Sequence, residues 1–440
     1  MIKEFLKYSL PSSFGMLIVG IYIVITGIFV SKGIGAFGLA AIVIATPLTM
    51  IVNSFSTIFS MGGATVVSVN LGKKNIPNAI NVFRQTIFFS IIISLIFGII
   101  SIFFLNSIVT LLGANSPLKV DVYTYLFYYL IFIIPIVLQG ILNTFLRNDN
   151  APAFAMYIMI FSAIITLILE YVFIFNLHMG LKGVAISAGI GQTLATIIEL
   201  IYFFRKKGTL TLGFTKLRFN TLTRILKIGF PTFFVAISYS AIIFFTNYFI
   251  IRTFGEDGMT SYGIINYILS ISYYAITGVC NGIQPLISFH FGANNYYAVE
   301  KTYDYSIIMN VLISIIFFII CLIFGKDFIK VFTDSQSIVS LTYIALNAAN
   351  LAYIFLSINF IDITFFQSIE KPILSNIICL ERGFIYSLLS LFILTYFFKY
   401  GVWYAMLLSE SLATLTTFIF FRLVKNHYKL SQFGLNVQAV

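Results

Sequence analysis

Five acidic residues interrupt the long apolar stretches of this chain, at positions where a carboxyl group would lie inside a membrane. They are Glu170, Glu199, Asp362, Glu381 and Glu410. An ionisable side chain at membrane depth costs about 2.5–3.5 kcal/mol on insertion scales, so each one needs a partner or a role. Such carboxyl groups can take up a proton, coordinate a cation or attract a positively charged ligand. We therefore treat them as the candidate functional residues.

Glu170 is the sharpest of these candidates. It lies in a strongly apolar segment that has no basic residue near it, and Thr166 precedes it by one helical turn on the same face. Burial favours the neutral form of a carboxyl group, so proton uptake at Glu170 would cancel a buried charge. A structural hydrogen bond to a neighbouring helix is the alternative role for this side chain.

Two further carboxyl groups have simpler explanations. Glu199 lies near the end of a predicted span, close to Arg205, and its side chain could extend to the interface. Glu381 directly precedes Arg382, which predicts a local or inter-helix ion pair.

Asp362 and Glu410 are candidates for side chains that face a cavity, in the case of Asp362 one within the second half, where a carboxylate would attract a cationic ligand. Gln192 corresponds to Glu410 in the internal repeat described below, and we assign it to the same predicted cavity, together with Glu199.

The elements that position these residues are membrane-spanning helices. The 440 residues are 60% hydrophobic and 9% charged, with a mean hydropathy of +1.00. Apolar runs of about 20 residues recur throughout, enough to cross a hydrocarbon core of roughly 30 Å. They are continuous rather than alternating, which favours helices over a barrel. Twelve spans are predicted, at approximately 8–30, 38–68, 83–111, 121–146, 152–177, 183–204, 224–252, 258–290, 303–325, 340–367, 373–398 and 402–424.

The first half of the chain repeats in the second half at an offset of 220 residues, and the shared Pro and Gly positions are the most informative. The matching residues are Lys7, Pro11, Phe14, Phe29, Gly35, Gly62, Ser68, Gly72, Asn75 and Pro152 with Lys227, Pro231, Phe234, Phe249, Gly255, Gly282, Ser288, Gly292, Asn295 and Pro372. The sequence therefore predicts an all-α integral membrane protein with twelve transmembrane helices in two pseudo-symmetric six-helix lobes. We place the lobes at residues 1–207 and 224–427, joined by a cytoplasmic linker at 208–223 and followed by a cytoplasmic tail at 428–440.

Charge asymmetry predicts the orientation of the chain. With the N-terminus inside, 18 of the 26 Lys and Arg residues fall at inner helix ends, 7 fall at outer ends and Arg382 lies within a span. This bias places both termini in the cytoplasm of a multi-pass plasma-membrane protein, from a bacterium by its composition. It also explains the formal net charge of +11 as a topology signal, so nucleic acid is not a predicted partner.

Enzymatic chemistry is not indicated. The chain has no glycine-rich loop ending in Gly-Lys-Ser/Thr and no Ser–His–Asp pattern, and its three cysteines lack metal-ligand spacing. We predict no metal site, no cofactor and no enzymatic activity, and we expect a monomer surrounded by membrane lipids.

Several segments resemble the multidrug and toxic compound extrusion (MATE) family, in particular its MepA- and DinF-like branch. The segment Gly278–Asn295 resembles the family's eighth-span signature, and Phe145–Pro152 resembles the turn after span four. Leu169–Phe175 with Met179–Ala185, and Gly401–Ala405, resemble its spans five, six and twelve. The similarity covers nearly the whole chain. It implies two six-helix lobes around a central cavity, and export of organic, often cationic, compounds driven by inward proton or sodium flow.

The resemblance also implies a set of ion-coupling residues. Glu170 takes the place of the family's span-five aspartate, and Asn143 matches its span-four asparagine. Thr166 and Thr26 stand where that branch has an asparagine and an aspartate, and Ala188 where some members have a threonine. Sodium requires several oxygen ligands and a proton requires one carboxylate, so the lost ligands favour H+ over Na+ as the coupling ion.

The sequence thus predicts a secondary antiporter that exports small organic cations by alternating access, with H+ as the coupling ion and Na+ as the alternative. Two other functions stay open. One is a lipid-linked oligosaccharide flippase of the same superfamily, although the membrane-embedded charges here are mainly acidic. The other is a receptor or scaffold that transports nothing.

Overall fold

A computed structural model of the protein describes residues 1–114 and 118–428. Within these residues the chain forms helices joined by short turns and, between Phe204 and Phe219, by a longer connector. The helices are α1 (Ile2–Gly33), α2 (Ala36–Gly72), α3 (Ile76–Phe103), α4 (Leu105–Leu111), α5 (Lys119–Ile131), α6 (Ile133–Asn148), α7 (Pro152–Tyr171), α8 (Gly180–Phe204), α9 (Phe219–Gly292), α10 (Tyr296–Lys330), α11 (Gln336–Ser368), α12 (Pro372–Leu380), α13 (Tyr386–Phe397) and α14 (Gly401–Tyr428). Two π-helical segments, Val172–Asn176 and Glu381–Ile385, directly follow α7 and α12. Residues 429–440 of the predicted tail lie outside the described residues.

The described helices provide the twelve predicted spans. Ten are long and apolar enough to cross a membrane, and α5 with α6 forms an eleventh span that bends by 55°. The helix α9 is 74 residues long, and Gly255 interrupts it at φ 63° and ψ −147°. That conformation is open to glycine and costly for other residues, so α9 consists of two consecutive spans. The hydropathy-based count is therefore confirmed.

The bend between α5 and α6 has a local cause. Pro135 lies in the first turn of α6 and has no N–H to donate to the carbonyl of Ile131, four residues earlier. The chain leaves helical geometry at Phe132, with φ −93° and ψ 14°. The span predicted at 121–146 thus consists of two helices joined by a bend.

Local structure repeats between the two halves at the positions that match in the sequence. Asn75 and Asn295 each accept a hydrogen bond from the backbone N–H three residues later and so cap α3 and α10. Gly35 and Gly255 both have positive φ, at 93° and 63°. Pro152 and Pro372 each begin a helix, where a missing N–H costs nothing. The duplication therefore extends to caps and turns.

The described chain groups into two compact units. One contains Met1–Ser13, Leu71–Lys74 and the residues from Ile237 onward, and the other contains Phe14–Asn70 and Asn75–Ala236. Each unit thus contains most of one half of the chain, except that the starts of α1 and α9 and the segment Leu71–Lys74 belong to the unit formed by the other half. The lobe boundaries at 207 and 224 stay a prediction.

In the first of these units, the first turns of α1 pack closely on the second part of α9. A Cβ added to Gly282 would lie 2.7 Å from the carbonyl oxygen of Tyr8, and one added to Gly278 would lie 2.5 Å from Cα of Ser13. The Ser13 hydroxyl donates to the carbonyl of Ala275 at 2.9 Å. Small residues at both glycine positions permit this close backbone contact.

The other unit contains the corresponding contact between the start of α9 and α2. A Cβ on Gly62 would meet the carbonyl oxygen of Ile225, and one on Gly229 would meet that of Ile58. Gly62 and Gly282 are equivalent in the repeat, so the duplication also covers this type of helix crossing.

Candidate functional site

Glu170 is a buried carboxyl group held by one hydrogen bond. It lies at the end of α7, which begins at Pro152 and is apolar along nearly its whole length. Its side chain has no exposed surface, and Oε2 accepts a hydrogen bond from Thr26 Oγ1 of α1 at 2.7 Å. Oε1 has no hydrogen-bond partner within the described part of the chain. One carboxylate oxygen is therefore available for a proton or another ligand.

Hydroxyl groups and aromatic rings surround this carboxyl group. Tyr22, one turn before Thr26 on α1, and Tyr125 of α5 both lie within electrostatic reach of Glu170. The ring of Tyr125 stacks on that of Tyr129 with centroids 6.1 Å apart. Of the residues that the structure describes, no Lys or Arg contributes an electrostatic interaction to Glu170. The charge of an ionised Glu170 thus has no cationic partner in this part of the chain.

Thr166 lies one turn before Glu170 and is also buried. Its hydroxyl is so close to Gly191 of α8 that a Cβ at Gly191 could not be accommodated. Glu170 thus contacts Thr26 of α1, and Thr166 one turn earlier lies against α8; the role of all three in ion coupling stays a prediction.

A change of helix type follows Glu170 directly. Residues Val172–Asn176 form a π-helical turn, and such turns are often found at functional sites. The ring of Phe29 contacts those of Tyr171 and Phe175, with centroids 6.0 and 5.8 Å apart. These contacts fix the end of the span against α1, the helix that carries Thr26.

Asn143 does not join Glu170. Its amide nitrogen donates to the carbonyl of Ala155 and to Glu199 Oε1, both at 3.0 Å, and its amide oxygen accepts from Arg147 at 2.7 Å. Ala155 precedes Glu170 by 15 residues on one helix, roughly 22 Å at the rise of an α-helix. The match to a family position predicts which helix carries Asn143, but not which neighbour its amide binds.

Glu199 differs from the sequence expectation as well. Its side chain is fully buried rather than extended to the interface, because Asn143 links it to Arg147. The positive charge of Arg147 also attracts the Glu199 carboxylate, which partly offsets the cost of burying it. Gln192, two turns earlier on α8, is half-buried, and its amide oxygen has no partner among the described residues. Their assignment to a substrate cavity stays a prediction.

The second half contains two separate acidic sites, and Asp362 forms the first. This side chain of α11 is 3% exposed and accepts a hydrogen bond from the Tyr303 hydroxyl of α10 at 2.7 Å. The ring of Tyr303 packs on Phe365, with centroids 5.0 Å apart. Nothing in the sequence pairs Asp362 with Tyr303, because the two lie on different helices.

Glu410 forms the second acidic site, and a cation neutralises it. Arg382 binds it through both carboxylate oxygens, with Nε to Oε2 at 3.1 Å. Asn359 donates to Oε2 at 2.8 Å, and the guanidinium of Arg382 lies 4.7 Å from the ring centre of Phe360. This geometry argues against the expectation that Glu410 offers a free charge to a cationic ligand.

The ion pair predicted for Glu381 is therefore not the one that forms, because Arg382 pairs with Glu410 on another helix. Glu381 instead accepts a hydrogen bond from Thr416 at 3.0 Å. Arg382 lies in the π-helical turn Glu381–Ile385, so in each half a π-helical turn contains or directly follows a buried charged residue. The lone arginine within an apolar span was the signal in the sequence for this pair.

No group of three or more His, Cys, Asp or Glu side chains among the described residues could hold a metal ion. The chemistry that the described groups support is binding and release of a proton or a monovalent cation at a carboxyl group.

The helices and the buried acids define a multi-pass helical membrane protein built from two repeated six-helix halves. The chain belongs to the MatE family, whose family model matches residues 11–172 and 231–400. The second match begins 220 residues after the first, which is the offset of the internal repeat. The family prediction made from the sequence motifs is confirmed.

Curated relatives cover almost the whole chain. The multidrug export protein MepA of Staphylococcus haemolyticus is 27% identical over 434 residues, covering 96% of this chain and 93% of the relative. The protein of the same name from Staphylococcus saprophyticus is 24% identical over 432 residues, covering 96% and 94%. Both relatives are named as export proteins.

Solved structures share the fold. A MATE crystallised in complex with MaL6 superposes with a TM-score of 0.92 at 21% identity, covering 97% of both chains. A MOP superfamily transporter from Pyrococcus furiosus gives 0.92 at 21% identity, covering 98% of this chain and 97% of the other. The predicted fold class, twelve transmembrane helices in a MATE-like arrangement, is confirmed.

Proposed function

We propose that this protein is a secondary antiporter that exports small organic cations in exchange for inward-moving protons by alternating access. The observation that carries the proposal is Glu170, a fully buried carboxyl group with one bonded oxygen and one oxygen without a partner among the described residues. A proton bound there removes the charge, and its release restores the charge. Coupling requires that the two forms favour different conformations.

The ligand set supports a proton rather than sodium. Thr26 is the described side chain that donates to Glu170, while Asn143 binds Glu199 and Arg147. A sodium site needs several converging oxygen ligands, and one carboxylate with one hydroxyl falls short of that number. Sodium is the alternative that the experiment below distinguishes.

The distribution of charge supports a cationic cargo. Glu170 and Asp362 are buried acids with hydroxyl partners. The buried cations Arg382 and Arg147 each have an acid nearby, Glu410 in direct contact and Glu199 through Asn143. Tyrosine rings near Glu170 add surfaces that attract organic cations. A flippase for pyrophosphate-linked lipids would instead need unpaired cations, so this arrangement favours the antiporter.

The relatives fit the same activity, since the staphylococcal proteins are named multidrug export proteins. We further propose that the protein lies in the plasma membrane of a bacterium, with both termini in the cytoplasm, and acts as a monomer in contact with membrane lipids. The excess of cations at the predicted inner ends supports this orientation.

Export from proteoliposomes tests the proposal. Purified protein is reconstituted with a fluorescent organic cation such as ethidium, and either a pH gradient or a sodium gradient is imposed. We expect export under the pH gradient alone. The variant Glu170→Gln should fall to the level of empty liposomes, because its side chain cannot exchange a proton.

The matched control is Glu381→Gln, the same substitution in another span, where the side chain binds Thr416. This control should keep most of the pH-driven export. Undiminished pH-driven export by Glu170→Gln would remove the coupling role of Glu170. Export driven only by sodium would replace the proton in the proposal.

A further inference from the structure

The connector between the two halves is bound to the first half through its backbone. We call residues 205–219, between the last turn of α8 and the first residue of α9, the strap. The Asp149 carboxylate, in the turn after α6, accepts hydrogen bonds from the backbone N–H groups of Thr209 at 2.7 Å and Leu210 at 3.1 Å. A Cβ on Gly208 would collide with this carboxylate, so the strap passes directly over Asp149.

The middle of the strap is held by Arg84 of α3. Its guanidinium donates to the backbone carbonyls of Thr211 at 2.9 Å, Leu212 at 3.3 Å and Phe214 at 3.1 Å. It also donates to the Thr211 hydroxyl at 3.1 Å. One arginine therefore satisfies three backbone carbonyls of the strap with charge-assisted hydrogen bonds, which are stronger than neutral ones.

The end of the strap is held by the residue next to Arg84. Gln85 Oε1 accepts a hydrogen bond from the backbone N–H of Arg218 at 2.9 Å. All of these contacts involve the strap's backbone or its Thr211 hydroxyl. Leu210 is buried, whereas the basic side chains and the phenylalanines of the strap are exposed.

Those exposed side chains combine cations with large apolar groups. Lys206, Lys207, Lys216 and Arg218 are exposed. Phe214 is fully exposed, and Phe219 keeps 79% of its surface exposed. A phenylalanine side chain that is left wholly open in water is unfavourable, whereas aromatic and basic residues side by side are typical of segments that lie on a membrane surface.

We propose that the strap is a docking surface for anionic lipid headgroups of the cytoplasmic leaflet. It connects the ends of two membrane-spanning helices at Phe204 and Phe219, so its residues lie within reach of the bilayer surface. The strap's five cations, which include the exposed Arg205, complement the negative charge of that leaflet, which attracts basic segments close to membrane helices. Phe214 places its ring among the lipid chains next to the headgroups. The inference uses the inner location of this connector and does not depend on the cargo or the coupling ion.

Tryptophan quenching by brominated lipids tests the proposal. The chain has one tryptophan, Trp403, so Phe214→Trp in a Trp403→Phe background reports on the strap alone. The protein is reconstituted in liposomes with brominated phosphatidylglycerol or with brominated phosphatidylcholine in equal amounts. We expect several-fold stronger quenching by the anionic lipid, and a smaller difference at high salt because salt screens charges at the surface.

Two adjacent lysine pairs provide the control. Lys206→Gln with Lys207→Gln should reduce the preference for the anionic lipid. Lys73→Gln with Lys74→Gln, an equal loss of charge at the turn between α2 and α3, should leave it unchanged. Equal quenching by both lipids, or an equal loss with either pair, would overturn the assignment of the site to the strap. Absence of quenching by either lipid would show that Phe214 does not contact the bilayer. Circular dichroism confirms that each variant is folded.

Discussion

The ion pair between Arg382 and Glu410 gives a prediction that separates a structural role from a role in cargo binding. Both side chains are at least nine-tenths buried, at 10% and 6% exposure. Glu410 is bound by Arg382 through both oxygens and by Asn359 at 2.8 Å. Glu410→Gln leaves the guanidinium buried without its counter-charge, and Arg382→Met does the same to the carboxylate.

Removing one partner of a buried pair costs about 3–5 kcal/mol. After Glu410→Gln, the ring of Phe360 at 4.7 Å from the guanidinium offers a cation–π interaction of about 0.5–2 kcal/mol. That interaction already exists in the native protein, so it does not offset the loss. We therefore expect each single variant to lower the free energy of unfolding by about 3–5 kcal/mol. The double variant should lose less than either one, because no buried charge is left alone.

The assay is reversible unfolding in mixed micelles titrated with sodium dodecyl sulfate, together with binding of an organic cation. If Glu410 instead attracts cargo, Glu410→Gln weakens cation binding and leaves stability within about 0.5 kcal/mol of the native protein. Arg382→Met would then tighten cation binding. That combination would refute the structural role and restore the interpretation drawn from the sequence.

Three other predictions follow from contacts described above. Gly62→Ala and Gly282→Ala should each lower the thermal unfolding midpoint in detergent, because the new methyl group meets a backbone carbonyl. Gly263→Ala is the control, since its methyl group has open space and should not lower the midpoint. Equal shifts in all three variants would contradict the close helix crossings. Arg84→Gln should speed trypsin cleavage in the strap, because three hydrogen bonds to backbone carbonyls are lost. Unchanged cleavage would mean that Arg84 does not hold the strap. Burial raises the pKa of Asp149, and the backbone donors at Thr209 and Leu210 lower it to a smaller extent. Because the folded protein holds the proton more tightly than the unfolded chain, the contribution of Asp149 to folding stability falls as pH rises above about 4. Asp149→Asn should flatten this part of a stability profile measured against pH, and an unaltered profile would assign the dependence to another group.

Much of the fold could be predicted because its signals are long or repeated. Twelve apolar runs and a 220-residue offset are properties of the whole chain, so errors at single positions do not matter. The bend at Phe132 could be traced to Pro135 only after the structure showed that the helix does not continue. The membership of residues 1–13 in the unit of the other half depends on backbone contacts at Gly278 and Gly282, which no hydropathy pattern contains.

The burial of a single side chain could be predicted from the sequence, whereas hydrogen bonds that join several helices could not. Burial of Glu170 follows from its apolar surroundings, and its contact with Thr26 agrees with the family positions of both residues. Asn143 lies within hydrogen-bond distance of polar groups on three helices and binds both Glu199 and Arg147. Which side chains lie at the same depth in the bundle cannot be read from the order of residues in the sequence.

A linker between two halves of a chain is often a flexible segment. Here Asp149, Arg84 and Gln85 bind the strap by hydrogen bonds along most of its length, so little of it is free to extend. A few glycines inserted after Lys207 would therefore weaken the attachment of the strap to α3 and to the turn after α6, rather than lengthen a flexible connector.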